Sequence, residues 1–597
     1  MRYRHVMIFA LLIAATLIVY GRTAGFSFVG FDDPQLVFDN PLVANGLSIT
    51  GLKWAFLSAW QENVFFYPLA MVSHMAAVSV FGLNPAGHHL VNAGLHAGVV
   101  VLVYCFLFRL TGALWRSAMV AILVAVHPVN VDSVAWVAQR STVLCGVFWM
   151  TVLWGYVQYV TQKTRKWYWA AFVLFVLAVL AKSSAVTIPF LLLFIDGYAG
   201  RLKTGQPRGP VFREKLPFFG AAIVWSLLVI VTAERSGAAA SMADIGTGMR
   251  IANAVTAYGV YVFRTLWPAS LSVYYPFPDH IPFWQPVLSG VFIVCVTALL
   301  VRHARRVPMM LLGWLWFLVT LIPMLGFVQA GPWPATADHY IYMPGIGLFI
   351  CMVWAVPDFQ RWRIAARAGA MAIIGIVILA LGGVAFHHAG YYRNSIALFK
   401  RAVEVTENNF FAHINLGDAY ARAGALDKAA LQFEAALALR PESPGAHVNR
   451  ANIDKKSGRL EQARVHYQHA LASEPDFAPA HAGLADVLAM TGEVDKAVQH
   501  YRRAIAIDKT FPAARYNLGM VLAGQERFVE AYYQVRHALE NAPRNPEIHC
   551  GLGEIATAMG RYKEAERHFR QALALDESSA RASRGLSRIR QLRDQHQ

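Results

Sequence analysis

Apolar and polar positions divide the chain into two parts. Before about residue 388 long apolar stretches alternate with short polar segments, and the remainder is charged, alanine-rich sequence of helical character. Because a membrane-spanning helix needs about 20 mostly apolar residues, the apolar stretches predict spans. Eleven of them lie near residues 6–22, 88–108, 113–129, 141–160, 167–181, 184–198, 216–233, 286–302, 308–326, 340–357 and 366–386. The pattern predicts an all-α protein, a polytopic membrane helical bundle of about 11 spans followed by an α-solenoid.

One further apolar stretch, at residues 250–268, departs from this series. Counting it as a span would carry the basic run from Arg302 to Arg306 outside, although such bases normally stay on the cytoplasmic side. We therefore predict an interfacial or re-entrant helix at the outer face, with Arg264 available to an anionic group. In this topology the N-terminus is cytoplasmic and the first apolar stretch is interpreted as a retained signal anchor.

The second part repeats with a period of 34 residues from Phe410 onward. Small residues recur in the first helix of each unit, and a glycine recurs between the two helices, with Glu526 in its place once. This period and pattern indicate tetratricopeptide repeats. The predicted domains are 1–388 for the membrane part, 389–577 for the repeats (a half unit at 389–409 and five units from 410) and 578–597 for a capping helix.

Composition agrees with a membrane protein. The 597 residues are 56% hydrophobic and only 15% charged, which is too apolar for a soluble multidomain protein. The net charge of +17 comes largely from bases in short loops between spans, where insertion topology accounts for them, so nucleic-acid binding is discounted. The five cysteines include no CxxC pair, so neither a disulfide framework nor a cysteine metal motif is indicated.

The stretch after the first span, residues 31–42, is rich in acids in a chain where acids are scarce. Asp32, Asp33 and Asp39 lie among aromatic residues there. A partly desolvated carboxylate beside a bilayer has a raised pKa, which suits a general base or a metal ligand. The alternative is that Asp33-Pro34 and Asn40-Pro41 only form turns.

With the predicted topology, polar residues gather at the outer face, which indicates a functional site. They are Asp32, Asp33, Asp39, Glu62, His74 and His88 in a long first loop (about 23–87), His127, Asp132 and Arg140 around the next outer loop, Lys182 at a turn, and Asp338, His339 and Tyr340 in the loop 331–342. Each has a structural alternative: the histidines could be helix ends, Lys182 could extend its amine towards the interface, and Asp132 could pair with Arg140.

A lipid-phosphate sugar donor would need such groups. Its phosphate needs cations, for which Arg140, Lys182, Arg264 and His339 are candidates. Asp32 or Asp33 would deprotonate an acceptor hydroxyl, or the two acids together would bind a divalent cation; no other cofactor is indicated. Supporting roles are predicted for Asp39, His88, His127, Asp132, Asp338 and Tyr340.

The repeats predict a protein or peptide partner. Asn415, Asn449 and Asn517 each lie two positions before the small residue of a unit, where side-chain amides could hold a peptide backbone on the concave face. Units three and five carry Gly483 and Gly551 at that position, so the alternative is that asparagine is merely common there.

Several runs resemble the transmembrane and tetratricopeptide-repeat protein family. They are FDDPQLVFDNPLV at 31–43, GLNPAGHHLVNAGLHA at 82–97, HPVNVDSVAWVAQRSTVLCGVFWM at 127–150 and ADHYIYMPGIGLFI at 337–350. The resemblance implies a GT-C-type protein O-mannosyltransferase whose essential acid lies in the first outer loop, at Asp32 or Asp33. The chain departs from that family at Tyr67, where many relatives have arginine, and at His339, where arginine is also usual.

These observations lead to a hypothesis of an inverting glycosyltransferase that uses a polyprenyl-phosphate-linked sugar at the outer face, with the repeats presenting a protein acceptor. The short loops and the absence of an endoplasmic-reticulum signature suggest a multi-pass protein of a bacterial inner membrane, with the repeats in the periplasm. One alternative is a non-enzymatic membrane scaffold for envelope assembly. The other is a transporter, and the charges count against it because they gather at one face and not along the midplane of the bundle, where substrate sites normally lie.

Overall fold

A computed structural model describes residues 2–57, 67–202, 208–235, 245–326, 334–357 and 363–595. Glu62 of the predicted first loop and residues 331–333 of the later outer loop lie outside these ranges. The chain divides into two compact units, Met1–Asn415 and Leu416–Gln597. Within the described ranges both units are helical, and the one β-type contact is an isolated bridge between Tyr275 and Thr336.

The first unit contains helices α1 to α18 and the beginning of α19. They are α1 Arg2–Tyr20, α2 Pro41–Ala44, α3 Ile49–Leu57, α4 Pro68–Phe81, α5 Pro85–Thr111, α6 Leu114–Val126, α7 Val131–Ala135, α8 Arg140–Gln162, α9 Arg165–Ala181, α10 Ile188–Tyr198, α11 Gly209–Arg213, α12 Leu216–Arg235, α13 Thr247–Leu266, α14 Trp284–Arg302, α15 Pro308–Leu321, α16 Pro344–Ala355, α17 Ile364–Ala389, α18 Ser395–Val405 and α19 Phe410–Arg422. Short 3₁₀ turns connect several of them, at Gly21–Gly25, Pro128–Asn130, Val137–Gln139, Ser183–Thr187, Ile322–Met324, Asp338–Ile341 and Gly390–Arg393.

Each of the eleven apolar stretches contains a helix, so the all-helical prediction is confirmed. Six helical segments of the described chain are long and apolar enough to cross a membrane, or seven if the bent pair Leu114–Val126 and Pro128–Ala135 is one span. That pair bends by 56° where Pro128 interrupts the backbone hydrogen bonds. Four shorter apolar helical segments remain, so the predicted count of about 11 spans stays a prediction.

The sequence did not predict helix α4 in the first outer loop. It is apolar but only 14 residues long, which is below the length used to recognise a span. Pro68 begins the helix, at a position where a backbone N–H would have no acceptor within the helix. Gly82 ends the helix with a φ of 61°. The other stretch that was not counted as a span, at residues 250–268, forms helix α13.

The second unit is built from paired helices. Its helices after α19 are α20 Leu426–Leu439, α21 Pro444–Lys456, α22 Leu460–Ser473, α23 Ala478–Met490, α24 Val494–Ile507, α25 Pro512–Gly524, α26 Phe528–Asn541, α27 Pro546–Ala558, α28 Tyr562–Leu575 and α29 Ala580–Gln595. The small residues of the repeat allow close contact: a Cβ at Gly417 would lie 2.6 Å from the ring of Phe433. The glycine between paired helices has a φ of 74° to 86° in four units, and Glu526 holds φ 60° in the fifth.

Three units of the solenoid pair a histidine of the first helix with one of the second. The pairs are His447 with His466, His481 with His500 and His549 with His568, with Nδ1–Nδ1 distances of 3.1, 2.9 and 3.2 Å. In the first two pairs Nε2 of the first histidine lies 2.8 and 3.0 Å from a proline carbonyl oxygen, so it donates and leaves Nδ1 as an acceptor. The second histidine therefore donates from Nδ1, and this arrangement requires the first ring to be neutral.

We expect these pairs to make the solenoid less stable in acid. Burial lowers the pKa of each of the six rings, and that of His568 falls to about 4, although Glu564 opposes the effect of His549 and Arg567. A histidine of the unfolded chain binds a proton near pH 6.5, whereas the buried ring binds one only at lower pH. The free energy of unfolding is therefore highest above pH 6.5 and falls between about pH 6.5 and 4. We expect the largest loss from the third pair, because His549 and His568 are both buried. Thermal unfolding of the full chain between pH 7.5 and 5 measures it.

The matched control for this measurement is His568→Gln. The fourth unit already has a glutamine at the corresponding position, where Gln534 accepts a hydrogen bond from Arg515. The variant removes one titrating ring and keeps a polar partner, so its unfolding temperature should depend less steeply on pH than that of wild type. Equal pH dependence in the two proteins would contradict this account of the pairs.

Candidate active site

The acidic loop after α1 is fixed through Asp33. This residue is buried, and its two carboxylate oxygens accept hydrogen bonds from the backbone N–H groups of Val29 and Ala138, each at 2.8 Å. Burial raises the pKa of Asp33 to about 7, against the two hydrogen bonds and the charge of Arg140, which lower it. One oxygen therefore fixes a turn within the loop, and the other joins the loop to the chain before α8.

Asp32, the neighbouring acid, is placed differently. It is half-buried, and among the residues that the structure describes its carboxylate has no hydrogen-bond or ion-pair partner. Burial, and after it the charge of Asp132, raise the pKa of Asp32 to about 6. A carboxylate with this pKa is ionised at neutral pH and is still basic enough to take a proton from a reacting hydroxyl.

Asp132, in α7, holds the side chain of His339. Its Oδ2 accepts from the backbone N–H of His339 at 3.0 Å and from the ring Nδ1 at 2.7 Å. Its Oδ1 accepts from the Tyr392 hydroxyl at 2.7 Å. Because Nδ1 is engaged, Nε2 is the nitrogen of His339 that remains for a ligand. The predicted pairing partner Arg140 is not bonded to Asp132 in this arrangement, which uses histidine and tyrosine instead.

A small pocket lies beside His339. Its lining includes Lys182, Tyr340, Thr142, Trp149 and Tyr342 among mostly apolar neighbours. The pocket therefore combines an apolar wall with few polar groups, which is the usual composition of a site for an amphipathic small molecule.

Lys182 supplies the cation of this pocket. It follows the last residue of α9 in extended conformation, and its Nζ donates to Thr142 Oγ1 at 2.6 Å and to Gln139 Oε1 at 3.4 Å. Burial lowers the pKa of Lys182 to about 8, while Asp132 and Cys145 act in the opposite direction. Since neither of its partners is a carboxylate, the ammonium group retains most of its attraction for an anion.

Burial also lowers the pKa of His339, and the charge of Lys182 adds to the effect, whereas Asp132 raises it. A ligand phosphate at the pocket would favour the protonated ring. The Asp132 charge thus acts on Asp32, on Lys182 and on His339. Of these three candidate residues, His339 contacts the Asp132 carboxylate directly, whereas Asp32 and Lys182 are affected by its charge.

Arg140 and His88 occupy supporting positions. Arg140 is fully buried, and its guanidinium donates to Asn92 Oδ1 at 2.9 Å and to the carbonyl oxygens of Ser73 and His88 at 3.3 and 2.7 Å. These bonds join α4, α5 and α8. The geometry favours a structural role for Arg140 over the predicted contact with a phosphate, which no bond of this residue supports.

Arg264 forms a separate cluster with Asp338. Its guanidinium carbon lies 3.5 Å from the centre of the Tyr275 ring, and Nη1 donates to Thr336 Oγ1 at 2.9 Å and lies 3.6 Å from Asp338 Oδ1. The Asp338 carboxylate also accepts from the Tyr275 hydroxyl and from the Ser272 N–H, both at 3.1 Å. Burial raises the pKa of Asp338 to about 7, although the charge of Arg264 acts to lower it. The cluster ties α13 to the loop before α16.

Of the remaining predicted residues, Tyr340 lines the pocket, whereas His127 and Asp39 do not. His127 is buried and bonds the Thr265 carbonyl oxygen at 2.9 Å, Asp39 is exposed, and Tyr340 packs edge-on against the ring of His339 at 4.7 Å between centroids. In the described part of the chain no group of three or more His, Cys, Asp or Glu side chains could hold a metal ion. The two N–H donors on Asp33 also occupy the oxygens that a cation would need.

The three predicted peptide-binding asparagines are all partly exposed. Asn415 donates to the Phe411 carbonyl oxygen of its own helix at 2.8 Å, and Asn517 donates to Asp486 Oδ1 at 2.9 Å. The side chain of Asn449 makes no hydrogen bond among the described residues. Their role in binding a peptide stays a prediction.

Sequence reasoning missed the contacts between the acidic loop and the chain that follows α17. Gly30 N–H donates to Ser395 Oγ at 2.8 Å, Ser27 N–H donates to the Arg393 carbonyl oxygen at 3.0 Å, and Tyr392 bonds Asp132. The only signal in the sequence was the very short connection between the last span and the first repeat helix. Thr142, the closest partner of Lys182, carried no signal because a threonine inside an apolar span is common.

Comparison with known protein families identifies the type of the repeats. Profiles of the tetratricopeptide repeat match residues 385–444, 454–518 and 511–578. Human protein O-mannosyl-transferase TMTC4 is 24% identical over 480 residues, which cover 69% of this chain and 63% of that protein. The mouse protein O-mannosyl-transferase TMTC1 is 33% identical over 158 residues, or 24% of this chain and 16% of that protein. The chain is homologous to these TMTC proteins.

This TMTC homologue spans less than two thirds of the length of the human and mouse TMTC4 proteins, 63% in each case. The apolar helices and the homology together make it a multi-pass membrane protein.

Among solved structures, similarity covers the repeats. YrrB, described as a TPR protein with an unusual peptide-binding site, is 19% identical, covers 31% of this chain and 96% of its own, and has a TM-score of 0.25. The Pseudomonas aeruginosa pilF protein is 21% identical, covers 31% of this chain and 84% of its own, and has a TM-score of 0.29.

Proposed function

We propose that this TMTC homologue is an inverting glycosyltransferase of the GT-C type that transfers a sugar from a polyprenyl-phosphate carrier to a hydroxyl group of a protein. The observation that carries the proposal is that the pocket brings together two basic side chains, Lys182 and His339, and that His339 is held by Asp132. Asp32, whose carboxylate has no partner among the described residues, supplies the base. Homology to the protein O-mannosyl-transferases supports the same class of reaction.

In the proposed reaction Asp32 takes the proton of the acceptor hydroxyl. The oxygen attacks the anomeric carbon, a new carbon–oxygen bond forms, and the bond from that carbon to the phosphate oxygen breaks on the opposite face. The electron pair of the broken bond stays on the phosphate, whose added negative charge Lys182 and His339 stabilise. A single displacement of this kind needs one base and inverts the anomeric centre.

Asp132 acts as a positioning residue in this mechanism. It fixes the ring of His339 through Nδ1, so that Nε2 faces the ligand, and Tyr392 fixes Asp132 in turn. Asp33 positions Asp32, because its two backbone hydrogen bonds determine the path of the loop that carries both acids. Neither Asp132 nor Asp33 touches the reacting atoms in the proposed reaction.

The proposed location is the outer face of a bacterial inner membrane, with the N-terminus cytoplasmic and the repeats periplasmic. The candidate residues Arg140 and Lys182 lie at the first residue of α8 and just after the last of α9, which is one end of this antiparallel pair. At the other end, basic residues such as Arg165 and Arg201 follow α8 and α10. This distribution agrees with the rule that bases stay on the cytoplasmic side.

We expect the rate of transfer to depend on pH with a maximum between about pH 6 and 8. Asp32 must be ionised to act as base, so kcat/KM falls as the pH drops below the Asp32 pKa of about 6. Lys182 must be protonated to bind phosphate, so kcat/KM falls as the pH rises above the Lys182 pKa of about 8. The profile of kcat/KM for mannose transfer from polyprenyl-phosphate mannose tests both limbs.

Lys182→Arg is the matched variant for the alkaline limb. An arginine stays protonated over the whole range, so the fall above pH 8 should disappear while the acid limb stays in place. An unchanged alkaline limb in this variant would exclude Lys182 as its origin.

A further inference from the structure

A group of aromatic side chains lies next to the acidic loop and has no part in the reaction described above. Phe31, Tyr274 and Phe411 are all half-buried. The Tyr274 and Phe411 rings are stacked at 4.9 Å between centroids, and the Phe31 ring meets that of Phe411 edge-on at 5.7 Å. The three rings thus form a continuous, partly exposed surface, which we call the aromatic surface.

Buried side chains hold this surface in place. The ring of Phe31 lies parallel to that of Trp136 at 5.3 Å and packs edge-on against Phe399 at 5.7 Å, and both of these residues are buried. Asn409, in the turn before α19, donates to the Tyr274 carbonyl oxygen at 3.2 Å. Rings fixed in this way lose little conformational freedom when a ligand packs on them, which favours their use in recognition.

The aromatic surface lies close to Asp32. Phe31 precedes Asp32 in a loop that Asp33 and Ser395 fix. The base and the first ring of the aromatic surface are therefore neighbours in the same fixed loop.

We propose that Phe31, Tyr274 and Phe411 form an acceptor subsite that binds an apolar or aromatic side chain next to the hydroxyl residue that receives the sugar. The phosphate of a sugar donor calls for cations, which these partly exposed rings do not supply. A polypeptide acceptor supplies both the hydroxyl group for Asp32 and a side chain for the rings. Phe411 belongs to a tetratricopeptide helix, a type of helix that commonly contacts peptides.

This inference rests on the proposed function, and its test separates the two. Two fluorescent peptides are prepared that differ only in the residue next to a single threonine, which is phenylalanine in one and alanine in the other. Their binding to the purified full-length protein is measured without donor, so that it does not depend on the chemistry. Transfer of mannose from polyprenyl-phosphate mannose to each peptide is measured separately.

Wild type should bind the phenylalanine peptide about tenfold more tightly than the alanine peptide, as expected for packing of one aromatic side chain on other rings. Phe411→Ala and Tyr274→Ala should each remove most of this preference. Tyr533→Ala, which truncates an exposed aromatic residue in α26, serves as the control and should leave it unchanged. Asp32→Asn should keep the preference although it loses transfer.

Equal binding of the two peptides to wild type, or an undiminished preference in Phe411→Ala and Tyr274→Ala, would overturn the subsite. A preference that is present and depends on these residues, in a protein that transfers no sugar to either peptide, would support the subsite as a peptide-binding surface and count against the glycosyltransferase.

Discussion

Asp32→Asn is expected to lower transfer from a polyprenyl-phosphate sugar by about 10²-fold or more while leaving the protein folded. The carboxylate has no partner among the described residues, so its replacement by an amide of the same shape breaks no hydrogen bond there. The amide cannot take the acceptor proton, so kcat falls and the binding of donor stays close to that of wild type. Single-turnover transfer and the unfolding temperature of the two proteins measure these effects.

Asp33→Asn is the control for this prediction, because it makes the same chemical change one residue away. An asparagine side chain offers one acceptor oxygen where the carboxylate offers two, so one of the N–H groups of Val29 and Ala138 meets an amide donor. We expect a loss of about 1 to 3 kcal/mol of stability in this region and a smaller fall in kcat. Equal activity of Asp32→Asn and wild type would remove Asp32 from the mechanism and return the acidic loop to the role of a turn.

Lys182→Met is expected to reduce kcat/KM for the donor by roughly 10- to 100-fold, which corresponds to the loss of a charge-assisted hydrogen bond to phosphate. Methionine retains the length and the apolar stem of lysine, so the pocket beside Trp149 and Tyr342 keeps its packing. The fall should appear partly in donor affinity and partly in kcat, because the phosphate gains charge as the bond breaks.

The exposed lysine Lys400, in α18, provides a matched control, since Lys400→Met removes the same charge at an exposed site, where the ammonium group lies 3.9 Å from the carboxylate of Glu404. That variant should bind donor like wild type. If both methionine variants lose donor affinity to the same extent, the effect comes from the overall charge of the protein and not from the pocket. If Lys182→Met binds and turns over the donor normally, the phosphate lies elsewhere.

The helical architecture follows from patterns that the sequence displays directly. Apolar stretches of the length of a span predicted helices in the first unit, and the 34-residue period predicted the paired helices with a glycine between them. Glu526 illustrates how strongly the repeat governs the backbone, because a glutamate there accepts a φ of 60° that normally calls for glycine.

The candidate site was predicted only as a set of residues at one face. The sequence left Asp32 and Asp33 equivalent, because their difference arises from a hydrogen bond between Asp33 and Ala138, 105 residues later in the chain. Arg140 had the charge expected of a phosphate ligand, but three hydrogen bonds to α4 and α5 occupy it. Hydrophobic patterns report the depth of a residue in the membrane or in a helix pair, and they contain no information about such distant partners.

The scaffold hypothesis and the glycosyltransferase hypothesis differ in whether Asp32 and Lys182 are needed. A scaffold that recruits envelope proteins through its repeats needs neither the carboxylate of Asp32 nor the ammonium group of Lys182. The buried location of that ammonium group beside an open pocket is costly without an anionic ligand, since burial disfavours its charge. This cost favours the enzyme.

The most direct test of the central claim is the stereochemistry of transfer by the purified full-length protein. A polyprenyl-phosphate β-linked sugar, with mannose as the first choice, is incubated with a threonine peptide, and the anomeric configuration of the glycopeptide is determined by NMR. The account predicts an α-linked product that wild type forms and Asp32→Asn does not. A β-linked product, or equal formation of the α-linked product by both proteins, would contradict it.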